Sequence, residues 1–139
     1  QQHPTILVDG AHNPEGWRAL QKTIKDQFMF KRLFLILGIM QDKDIQAMLK
    51  ILTPFAYTTI LCKPVMQRAA SREILQNFIG FSDSKRIFWA GTTGNALRYA
   101  LSHASPDDMI CATGSLFLAG EIRERYRSGK MKPSGRIGL

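Results

Sequence analysis

The sequence predicts an α/β domain whose mostly parallel sheet carries helices on both faces. Three observations lead there. Five short apolar runs alternate with stretches whose apolar residues recur every three or four positions, the mark of strands alternating with amphipathic helices. The runs are continuously apolar rather than alternating, as strands become when both faces of a sheet are covered. A chain of 139 residues, 45% apolar and 22% charged, has the composition of one globular domain with a real core.

The elements follow in order. "TILVD" (5–9) reads as the first strand. A helix starts at Pro14, whose missing N–H costs nothing in a first turn, and Trp17, Leu20, Ile24 and Phe28 make its apolar stripe. "RLFLILG" (32–38) precedes Ile45, Met48, Leu49 and Leu52, and "TTILCK" (58–63) precedes Ile74, Leu75 and Phe78. "RIFWA" (86–90) precedes Ala96, Leu97, Ala100 and Leu101. "MICAT" (109–113) leads into a helix from Ser115 to Tyr126. With right-handed crossovers this gives a Rossmann-like three-layer sandwich over residues 1–128. Residues 129–139, with Gly129, Pro133, Gly135 and Gly138, read as a flexible basic tail.

A net charge of +8 favours acidic partners: nucleotides, polyanionic substrates, nucleic acid or another domain. Six basic residues crowd positions 123–139 against Glu124 alone. A solvated helix end explains them, since cations suit a helix C-terminus. Nucleic-acid binding is disfavoured because Tyr126 is the tail's lone aromatic residue. No apolar run approaches the roughly 20 residues of a membrane span. Cys62 and Cys111 each sit inside an apolar run and read as buried free thiols, which suits a reducing cytoplasm. No Cys or His set stands at metal-ligand spacing.

In a parallel sheet the strand C-termini share one edge, where ligands bind. Five segments fall there: 9–14, 38–44, 63–69, 90–95 and 112–117. Asp9 ends the first strand, where a carboxylate can accept hydrogen bonds from a ribose. His12 and Asn13 stand before a helix N-terminus that favours an anion. The alternative is that Asp9 or Asn13 only caps the helix and His12 is a solvated loop residue. Lys43 can meet a carboxylate or phosphate or belong to a solvated charge cluster, Asp44 looks like an N-cap, and capping also explains Ser115. His3 and His103 carry no role. No G-x-G-x-x-G follows the first strand and no G-x-x-x-x-G-K-[ST] occurs, so neither a nicotinamide dinucleotide nor a Walker-type phosphate grip is expected.

Three segments, "ILVDGAHNPEG" (6–16), "GIMQDKDIQAML" (38–49) and "ATGSLFLAGEIR" (112–123), together resemble the C-terminal domain of folylpolyglutamate synthase and dihydrofolate synthase, within the Mur ligase family of ATP-dependent amide ligases. The resemblance implies a Rossmann-like mixed sheet. It also implies a ligase that adds L-glutamate to folate or dihydropteroate through an acyl phosphate, with ATP and Mg2+. In such enzymes a larger N-terminal domain supplies the P-loop and magnesium ligands. By position, Asp9 would hold the adenosine ribose, His12 would face the terminal phosphate, and Asn13 would lie beside that phosphate or the incoming amino acid. Lys43 and Ser115 would meet the carboxylates of glutamate. The chain starts too late to hold that ATPase domain, its nucleotide-gripping arginine segment, or a whole antiparallel edge strand. A folded but inactive domain is therefore expected, partnered by its own ATPase domain, ATP, folate and glutamate. Two rival readings stand beside it: a stand-alone nucleotide- or phosphate-binding module, and a basic partner- or nucleic-acid-binding domain.

Overall fold

The computed structural model describes residues 3–79, 86–128 and 136–138. Its elements are β1 (Thr5–Val8), α1 (Pro14–Gln27), β2 (Leu33–Leu37), α2 (Ile45–Leu52), β3 (Thr58–Cys62), α3 (Arg72–Gln76), β4 (Ile87–Gly91), α4 (Thr93–His103), β5 (Met109–Thr113), α5 (Leu116–Arg127) and β6 (Arg136–Gly138). The strands form one sheet in the order β4-β3-β2-β5-β1-β6, and every pairing between them is parallel. The α/β expectation is met.

The continuous apolar runs have a direct physical meaning here. Successive strand residues point to opposite faces. Leu7, Leu33, Leu35, Leu37, Leu61 and Cys111 pack with the buried faces of α1, α2 and α3. Their neighbours Ile6, Val8, Phe34, Ile36, Ile60 and Ile110 pack with α4 and α5. Each of β1, β2, β3 and β5 therefore feeds two cores, which is why their runs are apolar at successive positions.

Local chemistry sets the helix ends. Asn13, Asp44, Ser71, Thr92 and Ser115 each accept a first-turn N–H from α1, α2, α3, α4 and α5. Helix α1 stops at Gln27, one residue before Phe28, which is already extended. Phe28 still packs on the core, so its place on the predicted stripe reflects burial without helix. Strand β4 starts one residue later than the "RIFWA" run. The predicted tail contains β6, which pairs with β1, so residues 136–138 are sheet; residues 129–135 and 139 lie outside the described residues.

Cys62 and Cys111 are buried free thiols. Burial pushes the Cys62 thiol up to about 12, and burial with the nearby Asp9 charge raises Cys111 as well. Neither forms a thiolate near neutral pH, so both serve as small apolar residues. At the edge where the strands begin, Arg32 and Asp108 lie just before the paired residues Leu33 and Met109. Arg32 Nη2 donates to Asp108 at 2.8 Å, and the Ser105 N–H donates to the same carboxylate at 2.7 Å. Burial alone would raise the Asp108 carboxyl, but these hydrogen bonds outweigh it and hold the group below its ordinary value.

Candidate functional site

The strand order decides where a ligand can enter. Helix α1, after β1, packs on one face, while α5, after β5, packs on the other. The chain thus leaves neighbouring strands in opposite directions at β1/β5 and β5/β2, which opens a crevice at their C-terminal ends. A crevice of about 100 Å3 lies there, lined by His12, Met40, Lys43, Arg68 and Ser115 with Leu116 and Phe117. Four loops supply it, after β1, β2, β3 and β5.

Tight backbone contacts hold those loops together. The Asp9 N–H donates to Ala112 O at 3.0 Å and the Gly38 N–H to Thr113 O at 3.3 Å, so the first two loops are tied to the end of β5. Gly114 adopts φ +121°, and a Cβ there would come within 2.7 Å of the Gly38 carbonyl oxygen. Only glycine suits both the dihedral and the gap. On the other side, Met40 pairs with Ala69 in an antiparallel bridge, and the Gln41 N–H donates to Arg68 O at 2.7 Å. That bridge carries Arg68 to the crevice beside Lys43.

Each predicted residue now has a place. His12 lies 3.0 Å through Nδ1 from Gly10 O. A carbonyl only accepts, so Nδ1 carries the proton and Nε2 remains for the crevice, as acceptor in the neutral ring and donor in the imidazolium. One Asp9 oxygen accepts the Ala11 N–H at 2.7 Å, and the other has no hydrogen-bond partner among the described residues. Ser115, 1% exposed, accepts the Leu118 N–H at 3.0 Å and so caps α5. Lys43 makes no ion pair among the described residues, whereas Arg68 leans on Asp42 at 3.7 Å with both side chains about half exposed. Asn13 is exposed and accepts the Gly16 N–H at 2.7 Å; it caps α1 and does not line the crevice. The 90–95 segment contributes nothing either, because β4 ends the sheet three strands away from β5.

The electrostatic character is cationic. Lys43, Arg68 and the N-terminus of α5 converge, and such a set takes an anionic oxygen. A neighbouring open groove of about 500 Å3 shares Leu116 and Phe117 but sets Glu121 and Glu124 against one cation, Arg125, a net sign that disfavours an anion. Among the described residues no three His, Cys, Asp or Glu side chains converge as metal ligands.

With that geometry in hand, comparison with known proteins is decisive. Residues 1–116 match the family described as "Mur ligase, glutamate ligase domain". The chain belongs to this family. It is 34% identical over 123 residues to a probable bifunctional folylpolyglutamate synthase/dihydropteroate synthase of Haloferax volcanii, covering 88% of this chain and 14% of that protein. It is also 34% identical over 127 residues to a folylpolyglutamate synthase of Lacticaseibacillus casei, covering 91% of this chain and 28% of that one. The solved folylpolyglutamate synthase of Mycobacterium tuberculosis complexed with ADP superposes with a TM-score of 0.75 at 27% identity, over 86% of this chain and 29% of that chain. The chain thus spans less than a third of the length of each of these relatives.

The resemblance read from three sequence segments is therefore correct, and this Mur ligase domain carries all three around one crevice or beside it. Arg68 is the crevice residue that sequence reasoning passed over. Its only sequence signal was membership of a loop on the strand C-terminal edge.

Proposed function

We propose that this domain forms the anion-binding half of an ATP-dependent ligase that joins L-glutamate to a folate or pteroate carboxylate. The observation that carries the reading is the crevice itself: His12, Lys43 and Ser115, separated by up to 103 positions in the chain, line one small cationic space with Arg68. At about 100 Å3 it is smaller than the roughly 300 Å3 at which small-molecule pockets begin. It suits a single carboxylate or phosphate group, as expected of half a site. The ADP complex of the 27%-identical Mycobacterium tuberculosis relative supports a nucleotide as one ligand.

The chemistry assigns the residues. In the ligase reaction a carboxylate oxygen of the folate attacks the terminal phosphorus of ATP and ADP leaves. The glutamate amine then attacks the acyl carbon, and phosphate leaves as the amide forms. Both steps build negative charge on oxygens, which preorganised donors stabilise best in a site that excludes water. His12 Nε2, as imidazolium, donates to the transferring phosphoryl group. Lys43 and Arg68 hold one carboxylate of glutamate, and the Ser115 hydroxyl, whose oxygen already caps α5, donates its hydrogen to the same anion. Asp9 accepts from the ribose hydroxyls through its uncommitted oxygen. Asn13 acts as the α1 cap and orients the loop.

The test joins the domain to the ATPase domain of the longer polypeptide and measures ADP release that depends on folate and glutamate together. Wild-type activity with a loss of glutamate affinity in Lys43→Ala and Arg68→Ala supports the reading. An active ligase in which His12→Ala and Asp9→Ala leave rate and nucleotide affinity intact refutes the site.

A further inference from the structure

The carbonyl oxygen of Ala11 collects three donors. The Gly114 N–H reaches it at 3.1 Å, the Trp17 Nε1–H at 3.2 Å and the Thr113 Oγ1–H at 3.4 Å. The indole N–H is shared, because Thr113 Oγ1 lies 3.2 Å from the same Nε1. Trp17 and Thr113 are both 0% exposed. One belongs to the start of α1 and the other closes β5, so the cluster joins the 11–17 stretch to residues 113–114, about a hundred positions away in the chain.

The clamp acts on a particular peptide. The Ala11 carbonyl and the His12 N–H share one rigid plane, so fixing that oxygen fixes the direction in which His12 leaves the chain. His12 then closes its own contact, Nδ1 to Gly10 O at 3.0 Å. Packing alone does not account for the tryptophan: a phenylalanine would fill most of the same volume, whereas the indole adds a donor that a buried ring must satisfy. We propose that Trp17 is a positioning residue, which with Thr113 holds the Ala11–His12 peptide so that His12 keeps its Nδ1–H tautomer and presents Nε2 to the crevice. The proposal takes from the ligase reading only the task that His12 performs.

The experiment uses the 139-residue chain, labelled with 15N at histidine, at a pH where the rings are neutral. Long-range proton–nitrogen spectra report which nitrogen of His12 carries the proton, with His3 and His103 as internal references and His12→Gln to assign the signal. In the wild type His12 is the Nδ1–H tautomer. Trp17→Phe shifts the tautomer ratio toward Nε2–H by about twofold to fivefold, the reach of one neutral hydrogen bond, and Thr113→Val shifts it the same way. The signals of His3 and His103 stay put. Lower thermal stability with an unchanged His12 ratio in both variants would mean that Trp17 only packs, and it overturns the proposal. A wild-type His12 protonated on Nε2 overturns it too. If Trp17→Phe does not fold, Thr113→Val, which keeps the shape and removes the hydroxyl, decides alone. Because the readout is independent of catalysis, absence of ligase activity in the longer protein would refute the functional reading and leave this one standing.

Discussion

At the edge where the strands begin, Arg32 closes on Asp108 at 2.8 Å, lies 4.5 Å from the Tyr57 ring, and has Lys31 and Asp107 paired at 3.4 Å beside it. At the edge where the strands end, Lys43 has no ion partner among the described residues and Arg68 has only a loose one at 3.7 Å. The same residue types do different work at the two ends of one sheet. Asp108 is nearly buried and must be matched by donors, so its cluster is complete within the domain. The cations of the crevice stay half-exposed or exposed beside a helix N-terminus, a setting that suits an external anion. Substitutions at the first edge should therefore change stability, and substitutions at the second should change ligand handling.

The largest effect belongs to His12. In the longer ligase His12→Ala should lower kcat by about 100- to 1,000-fold, the usual loss when one donor to a developing oxyanion is removed. The melting temperature should stay close to wild type, since among the described residues the ring makes one hydrogen bond, with Gly10 O. Steady-state kinetics beside a thermal melt separates the two. A large drop in melting temperature would show that the crevice edge carries stability after all.

Asp108→Ala should do the reverse, costing about 2–4 kcal/mol of stability through loss of a charge-assisted network around a buried carboxylate. Urea titration of the isolated domain measures it, and kcat per folded ligase should be unchanged. The pH dependence has a definite sign. The folded carboxyl is held low, so its contribution is whole above the unfolded value of about 3.9 and fades as pH falls below it through the lower folded value. Asp108→Asn should flatten the acid limb of the stability curve below about pH 4. An unchanged acid limb would mean that the Arg32–Asp108 pair contributes nothing net.

The sheet itself was readable because burial on both faces writes each inner strand as an unbroken apolar run. β2 and β5 match their runs within a residue, since neither Phe34 nor Leu35 has a solvent face. Caps were readable for a related reason: Asp44 and Ser115 act within three residues of themselves. Lateral order was not readable. All five loops leave at one edge, but no local signal says that β4 ends the sheet and so removes 90–95 from the crevice. Arg68 was missed because its position depends on the Met40–Ala69 bridge, a contact between distant loops. Asn13 was ambiguous because a cap and an anion ligand require the same residue type at the same place. β6 carries no apolar run to betray it, and its pairing with β1 comes from geometry alone.

The smallest contrast is also the cleanest, because it compares one residue type at both edges. Lys31 and Lys43 each stand in a loop beside β2, one before it and one after it. Lys31 pairs with Asp107 while both side chains remain more than 60% exposed, so Lys31→Ala should cost no more than about 0.5 kcal/mol and leave kinetics alone. Lys43→Ala should be equally quiet in a urea titration, yet raise the KM for glutamate about tenfold, the 1.4 kcal/mol of one solvent-accessible charge-assisted contact. The charge of the chain falls by one in both variants, so any general effect of net charge on an acidic substrate appears in both and cancels. A rise in KM of the same size for Lys31→Ala would assign the effect to long-range attraction by the whole basic domain. A rise confined to Lys43→Ala would assign it to the crevice, where the lysine has no ion partner among the described residues to lose.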